Sequence, residues 1–82
     1  MFHPLLVEFL GTALIVAAVS YFGTPLAVAG AVLVGLLVKP TANLNPAVTI
    51  WAYLCNKIGA TTAIQNIAAQ VAGAATVFAL KI

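Results

Sequence analysis

Glu8, Asn43, Asn45, Gln65, Asn66 and Gln70 carry most of the polar chemistry of this chain, and they are spread through otherwise apolar sequence. No nucleophile is paired with a base, no His/Cys/acid group has metal-ligand spacing, and no glycine-rich loop could cradle phosphate. An enzyme, a metal site and a cofactor are therefore not expected. Hydrogen bonding and helix-end electrostatics remain. Glu8 is the only acid, inside an apolar run, where an ionisable group is a functional candidate. Cys55 is the only cysteine, which rules out an internal disulfide. It is expected to pack as a small apolar residue.

The most pointed constellation is Thr41-Ala42-Asn43-Leu44-Asn45-Pro46-Ala47. Pro40 and Pro46 disfavour helix at the residues before them. Asn45 is a strong N-cap residue and Pro46 a preferred first helical residue. The Asn45 side-chain oxygen can accept from the N–H of Ala47 or Val48, leaving its NH₂ group free to donate elsewhere. Carbonyls of Thr41, Ala42, Asn43 and Leu44 would form a row of acceptors. Next to them the helix N-terminus carries about +0.5 of an elementary charge.

The elements that must hold this segment follow from the apolar runs. A first span covers about residues 4–22, with Pro4 at its first turn and Gly23-Thr24-Pro25 as its break. A second covers about residues 25–39, rich in small residues that let helices approach closely, and is stopped by Lys39-Pro40. A third covers about residues 60–80, where Gln65, Asn66, Gln70 and Thr76 should face protein or water. Residues 40–57 form a loop and a helix from Pro46 to about Lys57, with Gly59 as the stop. About 12 residues reach roughly 18 Å, half a bilayer, so this helix cannot cross.

Composition names the solvent. The chain has 82 residues, 65% hydrophobic and 5% charged, with a net charge of +2 from Glu8, Lys39, Lys57 and Lys81. Soluble domains carry about 25% charged residues, and a fold this small has little interior in which to hide apolar surface. A multi-pass integral membrane protein is expected. Three scattered lysines and no arginine exclude a nucleic-acid partner. The first span resembles a signal peptide in its apolar run, but Glu8 sits where such a peptide needs positive charge. Lys81 can reach the headgroups. His3 should meet headgroups or solvent, and Trp51 and Tyr53 should pack or anchor at the interface.

The segment Asn45-Pro46-Ala47-Val48-Thr49, preceded by Ala42-Asn43-Leu44, resembles the first signature loop of the aquaporin and glycerol-channel family. Glu8-Phe9-Leu10-Gly11-Thr12 is similar to that family's first-helix pattern, and Ala69-Gln70-Val71-Ala72-Gly73-Ala74 to its third. Order and spacing match one repeat of three spans and a re-entrant half-helix. The resemblance implies an all-α membrane protein that pairs as an inverted homodimer, with two half-helices meeting at the midplane. A tetramer of such pores is a further implied assembly. It implies passive passage of water, and of glycerol or another small neutral solute. Thr41, Ala42, Asn43, Leu44, Asn45, Pro46 and Ala47 would line the pore, with Glu8 and Gln70 supporting the loop. By the family's offsets Pro25, Leu33 and Val48 would lie near the constriction. Val48 stands where the family's second half carries an arginine, and Pro40-Thr41 replaces the usual Ser-Gly, so a strict water filter is not implied.

Two other classes fit the composition. A proton-coupled exporter resembling the small multidrug-resistance proteins would use Glu8 as its coupling acid, but needs four full spans. A holin-like pore-former would leave Asn45-Pro46 and the half-length helix without a purpose.

Overall fold

Prolines and their preceding residues set three of the four helix starts. The computed structural model describes residues 3–80 and is all-helical. Helix α1, Pro4–Tyr21, begins where the His3 Nδ1 accepts from the Leu5 N–H at 3.1 Å, so His3 is a cap. Helix α2, Pro25–Val38, begins where the Thr24 hydroxyl accepts from the Ala27 N–H at 3.3 Å. Helix α3, Pro46–Leu54, begins at Asn45. Helix α4, Ala60–Leu80, begins where the Gly59 carbonyl accepts from the Ala63 N–H at 3.0 Å. Gly23, at φ +62°, ends the α1 turn by donating to the Ala18 carbonyl.

The end of α3 corrects the sequence reading. The helix stops at Leu54 rather than Lys57, and Asn56 rather than Gly59 turns the chain. Asn56 adopts φ +60°, its N–H donates to the Tyr53 carbonyl at 3.0 Å, and the Lys57 N–H donates to the Ala52 carbonyl at 2.9 Å. This is a Schellman closure, which asparagine supports because it tolerates the left-handed region. At 9 residues α3 is about 14 Å long. Cys55, expected to pack, is exposed at this turn. Lys57 instead lays its ammonium over the Trp51 ring, 5.2 Å from the centroid.

Helix α1 lies between α2 and α4, and α3 packs on α4. The α1–α4 crossing is close because Gly73 has no side chain: a Cβ there would overlap the Phe9 carbonyl and stand 3.1 Å from the Ala13 nitrogen. Helices α1 and α4, of 18 and 21 residues, are long and apolar enough to cross a membrane. They point to a membrane location. Helix α2 has no polar side chain at all but is shorter, at 14 residues. Lys81, expected at the headgroups, lies outside the described residues.

Polarity is arranged inside out. Glu8, Thr12, Thr49, Asn66 and Gln70 are buried, while Leu10, Leu26, Leu37, Leu54 and Phe78 are exposed. Of the four polar side chains expected to avoid lipid on α4, Asn66 and Gln70 are buried, Thr76 donates to the Ala72 carbonyl at 2.8 Å, and Gln65 is exposed.

The close α1–α4 crossing makes Gly73→Val destabilising by about 1–3 kcal/mol, as forced overpacking generally is. Gly30→Ala should be neutral or mildly stabilising, since nothing lies within 4 Å of a Cβ there. Thermal unfolding in detergent, followed by Trp51 fluorescence, measures both. Equal melting temperatures would show that the two backbones do not approach this closely.

Candidate functional site

Glu8 and Thr12 stand one helical turn apart on α1 and face the same direction. Opposite them runs the loop between α2 and α3. Lys39 to Ala42 forms a tight turn, closed by the Ala42 N–H donating to the Lys39 carbonyl at 2.9 Å, with Pro40 at its favoured second position. The chain then passes directly over the Glu8 carboxyl group. The Asn43 N–H donates to Oε2 at 2.8 Å and the Leu44 N–H to Oε1 at 2.7 Å. Gln70 Nε2, from α4, donates to Oε1 at 2.9 Å. Both Glu8 oxygens accept and neither donates, the pattern of a carboxylate.

Leu44 is clamped on three sides. Its φ of +62° lies in the left-handed region, which costs a non-glycine residue about 1–2 kcal/mol. Glu8 holds its N–H, and the Thr12 hydroxyl donates to its carbonyl at 3.2 Å. Its side chain fills the space left by two glycines: a Cβ at Gly11 would overlap Leu44 Cδ2, and one at Gly35 would come within 2.6 Å of Cδ1. Val7 and Ala42 complete this small core, with Ile15 packed against it.

Thr49 ties the short helix to the same centre. It is fully buried, and its hydroxyl accepts from Gln70 Nε2 at 2.8 Å and Asn43 Nδ2 at 3.1 Å while donating to the Asn45 carbonyl at 3.2 Å. One donor and two lone pairs are all that a hydroxyl has. Gln70 spends both amide hydrogens, on Glu8 and Thr49. Its orientation follows, because the flipped amide would turn its oxygen toward the carboxylate. Gln70 Oε1 is left buried with no partner among the described residues.

The network leaves the outer side of the loop polar and open. Asn45 Oδ1 accepts from the Ala47 N–H at 2.7 Å, which caps α3 beside Pro46. Asn45 is exposed, and its NH₂ group donates to nothing among the described residues. The carbonyls of Thr41, Ala42 and Asn43 likewise accept nothing among them. Of the four carbonyls expected to be free, Leu44's is held by Thr12, and the Leu44 and Ala42 side chains are buried.

Glu8, Gln70, Asn43, Leu44 and Asn45 are therefore gathered at one place. Pro25, Leu33 and Val48 are not. All three are exposed, the first two on α2 and the third on α3, and α2 and α3 do not pack on each other. Sequence reasoning missed Thr12 and Thr49. Each follows a site residue by four positions, Glu8 and Asn45 respectively, and that helical spacing was the available signal. Comparison with family models, characterised proteins and solved structures finds no significant match to this chain.

Because every donor aimed at Glu8 needs an acceptor, Glu8→Gln must point an NH₂ group at one of them. An orphaned buried polar group costs about 1–3 kcal/mol. The Asn43 and Leu44 amides should then exchange with deuterium about 5–150-fold faster. Thr49→Val should cost a similar amount, and Thr76→Val should not, since Thr76 bonds only within its own helix. Unchanged protection at Asn43 and Leu44 in Glu8→Gln would remove the carboxylate as the loop's anchor.

Proposed function

We propose that this chain is one half of an aquaporin-like channel. In this reading α1, α2 and α4 cross the membrane, and the 40–57 segment enters and returns from one side. Two inverted copies close a pore for water and small neutral solutes. The observation that carries the reading is the loop at Thr41–Asn45. It is irregular backbone amid apolar helices, held from behind, with the Thr41, Ala42 and Asn43 carbonyls and the Asn45 NH₂ group unpaired among the described residues. Backbone of that kind at membrane depth is tolerable only where it lines a water-filled cavity or lies buried in protein.

The chemistry suits neutral solutes. Three carbonyls accept, the Asn45 NH₂ group donates, and the positive end of α3 opposes cations and protons. An inverted partner brings a second such helix end to the midplane. A parallel partner puts both loops on one side, where the helix ends cannot meet. Helix α2, at about 21 Å, is short for a crossing but is apolar throughout and flanked by α1. Pro25, Leu33 and Val48 become a constriction only when a second chain faces them, and no arginine narrows it.

The exporter reading loses ground to the same network. A coupling acid must be reached by protons and substrate in turn, and Glu8 is 2% exposed with both oxygens engaged.

Proteoliposomes under an osmotic step should shrink faster than protein-free vesicles in stopped-flow light scattering. Asn45→Asp should keep water flux and admit cations, while Asn45→Ala should lose the cap, about 1 kcal/mol, together with flux per folded channel. Wild-type flux in a folded Asn45→Ala protein would take this residue out of the pore.

An inverted homodimer also requires dual topology. Lysines and arginines near span ends set orientation, and Lys39 and Lys57 against Lys81 give only a small bias. A C-terminal topology reporter should place tails on both sides of the membrane. Two arginines added after Met1 should fix one orientation and abolish flux, and co-expression with an oppositely biased variant should restore it. Full activity from a one-way population would defeat the homodimer.

A further inference from the structure

Lys39 is a cation that the pore described above does not use. Its backbone N–H donates to the Gly35 carbonyl at 3.0 Å, ending α2, and its carbonyl closes the turn to Ala42. A lysine at the end of a membrane helix ordinarily stretches its stem so that the ammonium reaches headgroups or water. This one folds forward. Lys39 Nζ donates to the Thr41 hydroxyl at 2.7 Å, and the residue is half-buried. The chain's one acidic side chain cannot neutralise it, because Glu8 is committed to Asn43, Leu44 and Gln70. A fixed positive charge therefore sits on the approach to the open carbonyls of Thr41, Ala42 and Asn43.

We propose that Lys39 sets the charge preference of the pore, repelling cations at the mouth so that any residual ion leak is carried by small anions. The assignment rests on the channel reading. In an inverted pair the two-fold axis puts one Lys39 at each mouth, so entry from either side meets the same charge. It acts at a different depth from the positive end of α3, which opposes cations at the far end of the loop. The two are separable by salt. A charge at a wet mouth is screened as the Debye length falls from about 10 Å at 0.1 M to about 3 Å at 1 M. A helix end enclosed at the midplane is screened far less.

The test uses purified wild-type, Lys39→Met, Lys39→Glu and Lys39→Arg proteins. Reversal potentials in a KCl gradient across planar bilayers give the cation-to-anion permeability ratio, and osmotic water flux is measured in parallel. Removing one charge beside the path should raise the ratio about 5–10-fold at 0.1 M in Lys39→Met, on the Coulomb scale for an intermediate dielectric. Lys39→Glu should raise it further, Lys39→Arg should match wild type, and the differences should shrink at 1 M. One ratio across all four proteins, or no measurable ion current even in Lys39→Glu, overturns the assignment while wild-type water flux keeps the channel reading standing. Absent water flux in the wild type overturns the channel reading, and the assignment falls with it.

Discussion

The rest of the fold depends on one carboxylate meeting two successive backbone N–H groups. Asn43 and Leu44 cannot join a helix, being placed between Pro40 and Pro46, yet their N–H groups are enclosed by apolar helices. Unpaired, each would cost free energy comparable to a lost hydrogen bond. Glu8 supplies an oxygen to each at 2.8 and 2.7 Å. Two bonds to adjacent residues fix the loop's orientation as well as its depth. Gln70 completes the carboxylate and carries the constraint into α4, and Thr49 passes it on to α3. Through this relay α1, α3 and α4, which share little apolar core, are tied to one loop, and α2 joins them where Gly35 admits the Leu44 side chain.

A polar keystone of this kind suits lipid more than water. Between membrane helices there is no hydrophobic driving force, so close packing and hydrogen bonds must do the joining. Both are present. Gly73 lets α4 reach the α1 backbone, and Gly11 and Gly35 admit the Leu44 side chain. Leucine in a left-handed conformation is disfavoured by itself. It persists because the Glu8 and Thr12 hydrogen bonds and the glycine-lined socket all require the same geometry. Backbone strain held by its surroundings is what a site of fixed shape requires.

The two sides of the loop are chemically different. Inward, the donors around Glu8 and Thr49 are matched to acceptors, and Gln70 Oε1 has no partner among the described residues. Outward, the Asn45 amide, the three carbonyls and the α3 N-terminus offer hydrogen bonds, with the Lys39 ammonium bonded to Thr41 beside them. Rigid backing and open facing are complementary, since a loop that also had to anchor itself would have no hydrogen-bonding groups left to face outward.

The sequence by itself determined the elements. Prolines at 4, 25 and 46, each just inside a helix, and the break at Gly23 mark starts and stops by local backbone restrictions, which need no distant partner. Asn45 as a cap belongs to the same class, as its donor lies two residues away. The Asn56 closure of α3 was local too, but asparagine is a weaker signal than glycine and Gly59 lay close by. The resemblance already named Glu8 and Gln70 as supports of the loop, but which groups pair across the chain was decided by the tertiary structure. Glu8 lies 35 and 36 positions from the amides it holds and 62 from Gln70, and nothing in local spacing encodes those distances. Thr12 and Thr49 read as ordinary helical threonines until the fold brings an orphan carbonyl and two amides to them. Gly11 and Gly35 read as small interface residues until Leu44 fills the gap between them. A residue's backbone preference is a property of its neighbours in sequence, whereas satisfaction of a buried polar group depends on whatever the fold puts within about 3 Å of it.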